Sequence, residues 1–124
     1  MIQHEGPGWR LAWDSSKDNY SFLIGGENWA FELTQDEWNS LVPIIGDLID
    51  QHKGLKNQLM PEETISIEAE RYPWWACIDG NKHNWSLKLI LLGKDSERRS
   101  MEAYWPIPSA QAITSEMRIM WDSN

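Results

Sequence analysis

Three histidines, one cysteine and nineteen carboxylates are the side chains best suited to chemistry in this 124-residue chain. A bound metal needs ligands at short, convergent spacings. His4, His52 and His83 are far apart and none has a neighbour at such a spacing, so they read as surface or loop histidines. Cys77 lacks the neighbouring histidine or cations that lower a thiol's pKa, and reads as a small core residue. As the single cysteine it excludes an internal disulfide. Glu68 and Glu70 share one strand face about 7 Å apart. Paired carboxylates can do acid/base work. However, Ser66-x-Glu68-x-Glu70 is also the pattern of a solvated strand face, and that reading is preferred. The sequence holds no Gly-rich phosphate loop, nucleophile elbow or metalloprotease helix. The expectation is a non-enzymatic protein with no metal and no cofactor.

Charge supplies the remaining candidate. The chain carries −8, which repels phosphates if spread evenly. It is not even. Residues 82–99 hold Lys82, Lys88, Lys94, Arg98 and Arg99 against Asp95 and Glu97, a balance of +3 that leaves −11 for the rest. Lys82 and His83 fall in a turn, Lys88 on the wet face of a strand, and Lys94, Arg98 and Arg99 in a loop beyond it. Such cations, beside exposed tryptophans, can hold phosphates while bases stack. The plainer reading is that they keep an apolar hairpin soluble and blunt a sheet edge.

These residues must be positioned by a β-hairpin, residues 74–92, the most apolar stretch of the chain. In its second arm Trp85, Leu87, Leu89 and Leu91 point one way, and Ser86, Lys88, Ile90 and Leu92 the other. The far end is apolar on both sides, so a cover is expected there too. Asp79-Gly80-Asn81-Lys82 turns the chain. Upstream, residues 1–8 read as a loose polar lead-in. Trp9/Leu11/Trp13, Tyr20/Phe22/Ile24 and Trp29/Phe31/Leu33 then alternate as the inward faces of a three-stranded meander. The period changes at Thr34-Gln35-Asp36-Glu37, a capping box. A helical stripe follows through Trp38, Leu41, Val42, Ile45, Leu48 and Ile49, with Pro43 inside it and Gly54 as a natural stop. Ile65, Ile67 and Ala69 mark another strand, and Met101–Trp105 a last short one. Ser109 is a plausible N-cap for a closing helix whose inner face is Ile113, Met117, Met120 and Trp121.

The class is therefore α+β with mainly antiparallel sheet, in two meander-plus-helix repeats. One domain over residues 1–124 is expected, pseudo-duplicated as about 8–54 and 64–122. Nine tryptophans favour a compact aromatic core. The start has no cationic and apolar leader pattern, and no apolar run approaches the ~20 residues of a membrane span. A cytoplasmic protein without a membrane partner is expected, a monomer or weak homodimer.

GWRLAWD (8–14), ELTQDEW (32–38), LMPEE (59–63) and YWP (104–106), in this order and spacing, resemble a small cyanobacterial family of unknown function. The resemblance covers nearly the whole chain. It implies a fold similar to the single-stranded-DNA-binding regulator domain of Whirly proteins and positive-cofactor coactivators, built from repeated four-strand-plus-helix units. The Whirly Lys-Gly-Lys-Ala-Ala-Leu motif has no match here, so the resemblance carries over no DNA-contact residue and no catalytic one. Fold alone does not fix function. The expected role is a small protein-interaction or regulatory module with an unknown protein partner. The alternative is weak single-stranded nucleic-acid binding through Lys82, His83, Lys88, Lys94, Arg98 and Arg99.

Overall fold

The structure, a computed structural model, describes residues 1–93 and 99–122. Among the described residues there are eight strands, most of them alternating in burial, and two helices of 3.6-residue apolar periodicity. Their order is β1 (Ile2–Gly6), β2 (Trp9–Trp13), β3 (Phe22–Gly26), β4 (Ala30–Leu33), α1 (Gln35–Lys56), β5 (Ile65–Arg71), β6 (Trp74–Gly80), β7 (Trp85–Leu91), β8 (Met101–Trp105) and α2 (Ser109–Asp122). They form two four-stranded antiparallel sheets, β1-β2-β3-β4 and β5-β6-β7-β8, each followed by a helix. The α+β class holds.

The first sheet has one strand more than the sequence reading gave. Residues 1–8 are not a loose lead-in: β1 pairs with β2 from Ile2↔Trp13 to Gly6↔Trp9. An edge strand needs only one ladder, so Gln3 and Glu5 can stay wet without breaking it. Pro7 and Gly8 close the hairpin, with Gly8 at φ +79°, the conformation a type II turn requires at that place.

The register of the apolar hairpin is as expected. Trp85, Leu87, Leu89 and Leu91 are buried, opposite Trp74, Ala76 and Ile78 of β6. Three local expectations are corrected. Helix α1 runs through Pro43 and past Gly54 to Lys56, with Lys53 and Lys56 in its last turn, where cations suit the helix dipole. Ser109 does not cap α2 from outside: it is the helix's first residue, and its hydroxyl donates to the Pro106 carbonyl at 2.9 Å. Trp121 is 46% exposed. It lies about 80° round the helix from Ile113, and Met120 takes the inner place instead.

The helices exchange cover. Helix α1, which ends the first unit, lies along β5 and β6; α2 lies along β7 and reaches back to β2 and β1. The core is one cluster drawn from both units. Indoles tie it together. Trp74 donates to the Glu37 carbonyl and Trp105 to the Gly25 carbonyl, each at 2.9 Å. Trp38 of α1 stacks on Phe22 of β3 at 4.6 Å, and Trp105 meets Trp29 at 5.2 Å. The Trp74 and Trp105 bonds fix ring orientation as well as adding stability, whereas the buried Trp38 indole N–H has no hydrogen-bond partner among the described residues and is held by packing alone.

Candidate interaction surface

The described residues of the basic segment do not gather into one patch. Lys82 and His83 sit in the β6–β7 turn, built around Asn81. The Asn81 side-chain oxygen accepts from the backbone of His83 and of Asn84, each at 2.9 Å, the local bonding that makes Asn a turn residue. His52 of α1 donates to the Asn81 carbonyl at 2.9 Å, and Gln111 of α2 to that of His83 at 2.8 Å. Both helices therefore hold this turn. Arg99 lies at the opposite end of the hairpin, about 20 Å away by strand rise. Lys94 and Arg98 lie outside the described residues.

Lys88 stands between the ends, on the outer face of the second sheet. Three cross-strand rows cross that face: Ser66–Asp79–Ser86, Glu68–Cys77–Lys88–Tyr104, and Glu70–Trp75–Ile90–Glu102. Lys88 is bonded to Glu102 at 2.7 Å, and that hydrogen bond holds its pKa above the usual lysine value. Among the described residues the face carries the exposed carboxylates of Glu68, Glu70, Asp79 and Glu102 against this single cation, a balance of −3. Between them run Trp75 and Ile90, half-buried cross-strand partners, and Tyr104, which is 52% exposed. The cover expected over Ile90 is absent among the described elements, because both helices lie on the inner face. Cys77 is buried within this face, and burial pushes its thiol pKa up, against a lowering hydrogen bond from Ser66 at 3.4 Å. A raised thiol pKa means little thiolate at neutral pH, which lowers the residue's reactivity as a nucleophile.

Arg99 is not a solvent loop cation. It pairs with Glu37, donates to the Glu32 carbonyl at 2.8 Å, and stacks its guanidinium on Tyr20 and Phe31 at 4.5 and 4.6 Å. Glu37 is itself the capping-box carboxylate: it accepts the Thr34 backbone N–H at 2.9 Å while Thr34 Oγ1 accepts that of Glu37 at 3.1 Å. Arg99 thereby fastens the β7–β8 connection to the first sheet and to the start of α1. Nothing in the local sequence signals this, because the contacts span more than sixty residues. A cleft of about 490 Å³ opens beside it, lined by Tyr20, Asp36, Ser40, Tyr72, Leu91 and Leu92 among others. Its cation and capping carboxylate are committed to each other. Among the described residues no group of three or more His, Cys, Asp or Glu could hold a metal ion. Among the described residues no helix is long and apolar enough to cross a membrane.

Comparison with known proteins gives a consistent picture. The model of a family described as a domain of unknown function, DUF1818, matches residues 4–120. The crystal structure of a protein of unknown function from Prochlorococcus sp. NATL2A, given there as of the DUF155 family, is similar with a TM-score of 0.92. The two sequences are 48% identical over 98% of this chain and 99% of that one. No curated protein matches.

Proposed function

From the premise that this chain belongs to the DUF1818 family of unknown function, we propose that it is a non-enzymatic protein-interaction module. Its contact surface is the outer face of the β5–β8 sheet. One observation carries the reading: Trp75, Ile90 and Tyr104 stand on a face that neither helix covers. A purely solvated face has no need of them, whereas aromatic residues are enriched where proteins meet.

The nucleic-acid reading has less behind it. Of its five cations and one histidine, Lys88 is paired and lies among carboxylates, and Arg99 is spent on Glu37. Lys82 and His83 are at the far turn. The repeated four-strand-plus-helix order supports kinship with the single-stranded-DNA-binding regulator fold, and a cytoplasmic place belongs to the same proposal. The ligand does not follow from the fold.

The test is capture from native lysate with and without nuclease, using wild type and a Trp75→Glu/Tyr104→Glu variant of unchanged far-UV circular dichroism and cooperative unfolding. Protein partners that survive nuclease and are lost by the variant support the module. Capture abolished by nuclease overturns it in favour of nucleic acid.

A further inference from the structure

We infer that the segment received by the outer face of the second sheet is cationic and amphipathic: an extended run or helix with Lys or Arg flanking an apolar stripe. This deepens the module reading above and rests on it.

The chemistry follows from the arrangement of that face. Trp75 and Ile90 are direct cross-strand partners, and Tyr104 lies one diagonal step on, across β8. The apolar strip thus crosses three strands obliquely, about 5 Å between partners and about 7–8 Å along the diagonal. Carboxylates stand on both sides of it: Glu68, Glu70 and Asp79 toward β5 and β6, and Glu102 on β8. All four are exposed. Like charges gathered along an apolar strip oppose one another in the free protein and are relieved by opposite charge from a partner, so complementarity selects a cation. Lys88, the one positive side chain on the face among the described residues, shows the mode of binding: it stands in the middle row and is held by Glu102 at 2.7 Å. Phosphate backbones, acidic peptides and anionic membranes meet a repulsive field there. A second copy would bring the same −3 face and is disfavoured on the same ground. A helix is a shape this sheet accepts, since its inner face is already covered by two.

The test uses defined probes and the full chain. A fluorescein-labelled Lys/Leu amphipathic peptide, its Glu/Leu counterpart and labelled oligothymidylate are titrated by anisotropy at low and moderate salt. The Lys/Leu peptide is expected to bind at least about tenfold more tightly than the other two, and to weaken with salt. Glu68→Lys/Glu102→Lys is expected to weaken it by about tenfold or more, because it turns the face from −3 toward net positive. Asp50→Lys/Glu62→Lys changes the total charge equally but away from the face, and is expected to leave affinity within about twofold. Tyr104→Ser, which alters no charge, is expected to weaken binding severalfold through lost apolar contact. If the Glu68/Glu102 variant fails to fold, Glu70→Gln/Asp79→Asn replaces it, taking the face from −3 to −1 with an expected severalfold loss. Equal loss in the face and control variants would reduce the effect to total charge and overturn the inference. Preference for the Glu/Leu peptide or the oligonucleotide overturns it as well. So does self-association at the titrated concentrations that Trp75→Glu abolishes, which assigns the face to a second copy. Should no cationic probe bind while nuclease-resistant partners are still lost by Trp75→Glu/Tyr104→Glu, the cationic assignment fails and the module reading stands.

Discussion

Arg99→Ala is the substitution on which sequence and structure disagree most. In the sequence Arg99 is one of three loop cations whose replacement should spare the fold. In the structure it pairs with Glu37, bonds the Glu32 carbonyl and stacks on Tyr20 and Phe31. The magnitude can be worked from these contacts. A partly exposed ion pair is worth about 0.2–1 kcal/mol, and Arg99 and Glu37 side chains are 32% and 19% exposed. A guanidinium over an aromatic ring adds about 0.5–1 kcal/mol, and the charged bond to a carbonyl about 1 kcal/mol after discount for solvent. Removing Arg99 does not orphan Glu37, which keeps the Thr34 backbone N–H, so no large desolvation penalty is added. The expected loss is about 2–3 kcal/mol, or a fall in Tm of roughly 6–12 °C for a chain of this size. Arg99→Lys should recover less than half, since the ammonium lacks the planar fork that serves carboxylate, carbonyl and rings together. Lys82→Ala, at the other end of the hairpin, is the control and should stay within about 0.5 kcal/mol. Chemical denaturation of the four proteins decides it. Arg99→Ala within about 0.5 kcal/mol of wild type would refute the clamp.

Four further outcomes are expected. Thr34→Ala should lower stability by about 0.5–2 kcal/mol, read as a lower denaturation midpoint, because the Glu37 N–H loses its side-chain acceptor; an unchanged midpoint contradicts the cap. Leu89→Ala, at a fully buried position, should cost about 2–5 kcal/mol while Lys88→Ala on the outer face stays within about ±0.5; the same denaturation series reads both. Gly80→Ala should destabilise, since a Cβ there overlaps the Asn84 carbonyl and the Trp85 backbone; an unaltered Tm would show the turn can shift at no cost. Cys77, its thiol pKa raised by burial, should react with iodoacetamide only at pH above the ordinary thiol range, and faster once urea unfolds the chain, as followed by mass spectrometry.

What the sequence made legible was local. The Thr34–Glu37 capping box is visible because its two bonds join residues three apart. The β6–β7 hairpin is visible because strand alternation and a turn signal agree. Strand β1 was hidden because an edge strand is specified by its partner, and Gln3, His4 and Glu5 carry no apolar alternation of their own. Trp121 was misplaced because a stripe of apolar residues does not say which of two neighbours, Met120 or Trp121, wins the inner position. The Arg99 clamp and the Trp105–Gly25 bond join residues 62–80 positions apart, beyond any pattern in a local window. The basic segment was legible as composition only. Folding splits it, with Lys88 among carboxylates and Arg99 in a structural pair.

The exchange of helices decides which surface is left for function. Had α1 returned to β1–β4, each unit would have closed on itself. Instead α1 lies on β5 and β6, and α2 on β7 and β2, so both helices are used on inner faces. Antiparallel sheets tolerate one wet face, and alternation along β5 and β7 provides for it with Ser66, Glu68, Glu70, Ser86 and Lys88. Those residues alone would be a solvated surface and would argue for nothing. Trp75, Ile90 and Tyr104 break the polar rule on the same face, and they do so on adjacent strands rather than singly. Scattered exposed apolar residues need no explanation, whereas a contiguous strip rimmed by charge marks a contact site. On the outer face of the second sheet the polar alternation gives way, and it does so where neither helix provides cover.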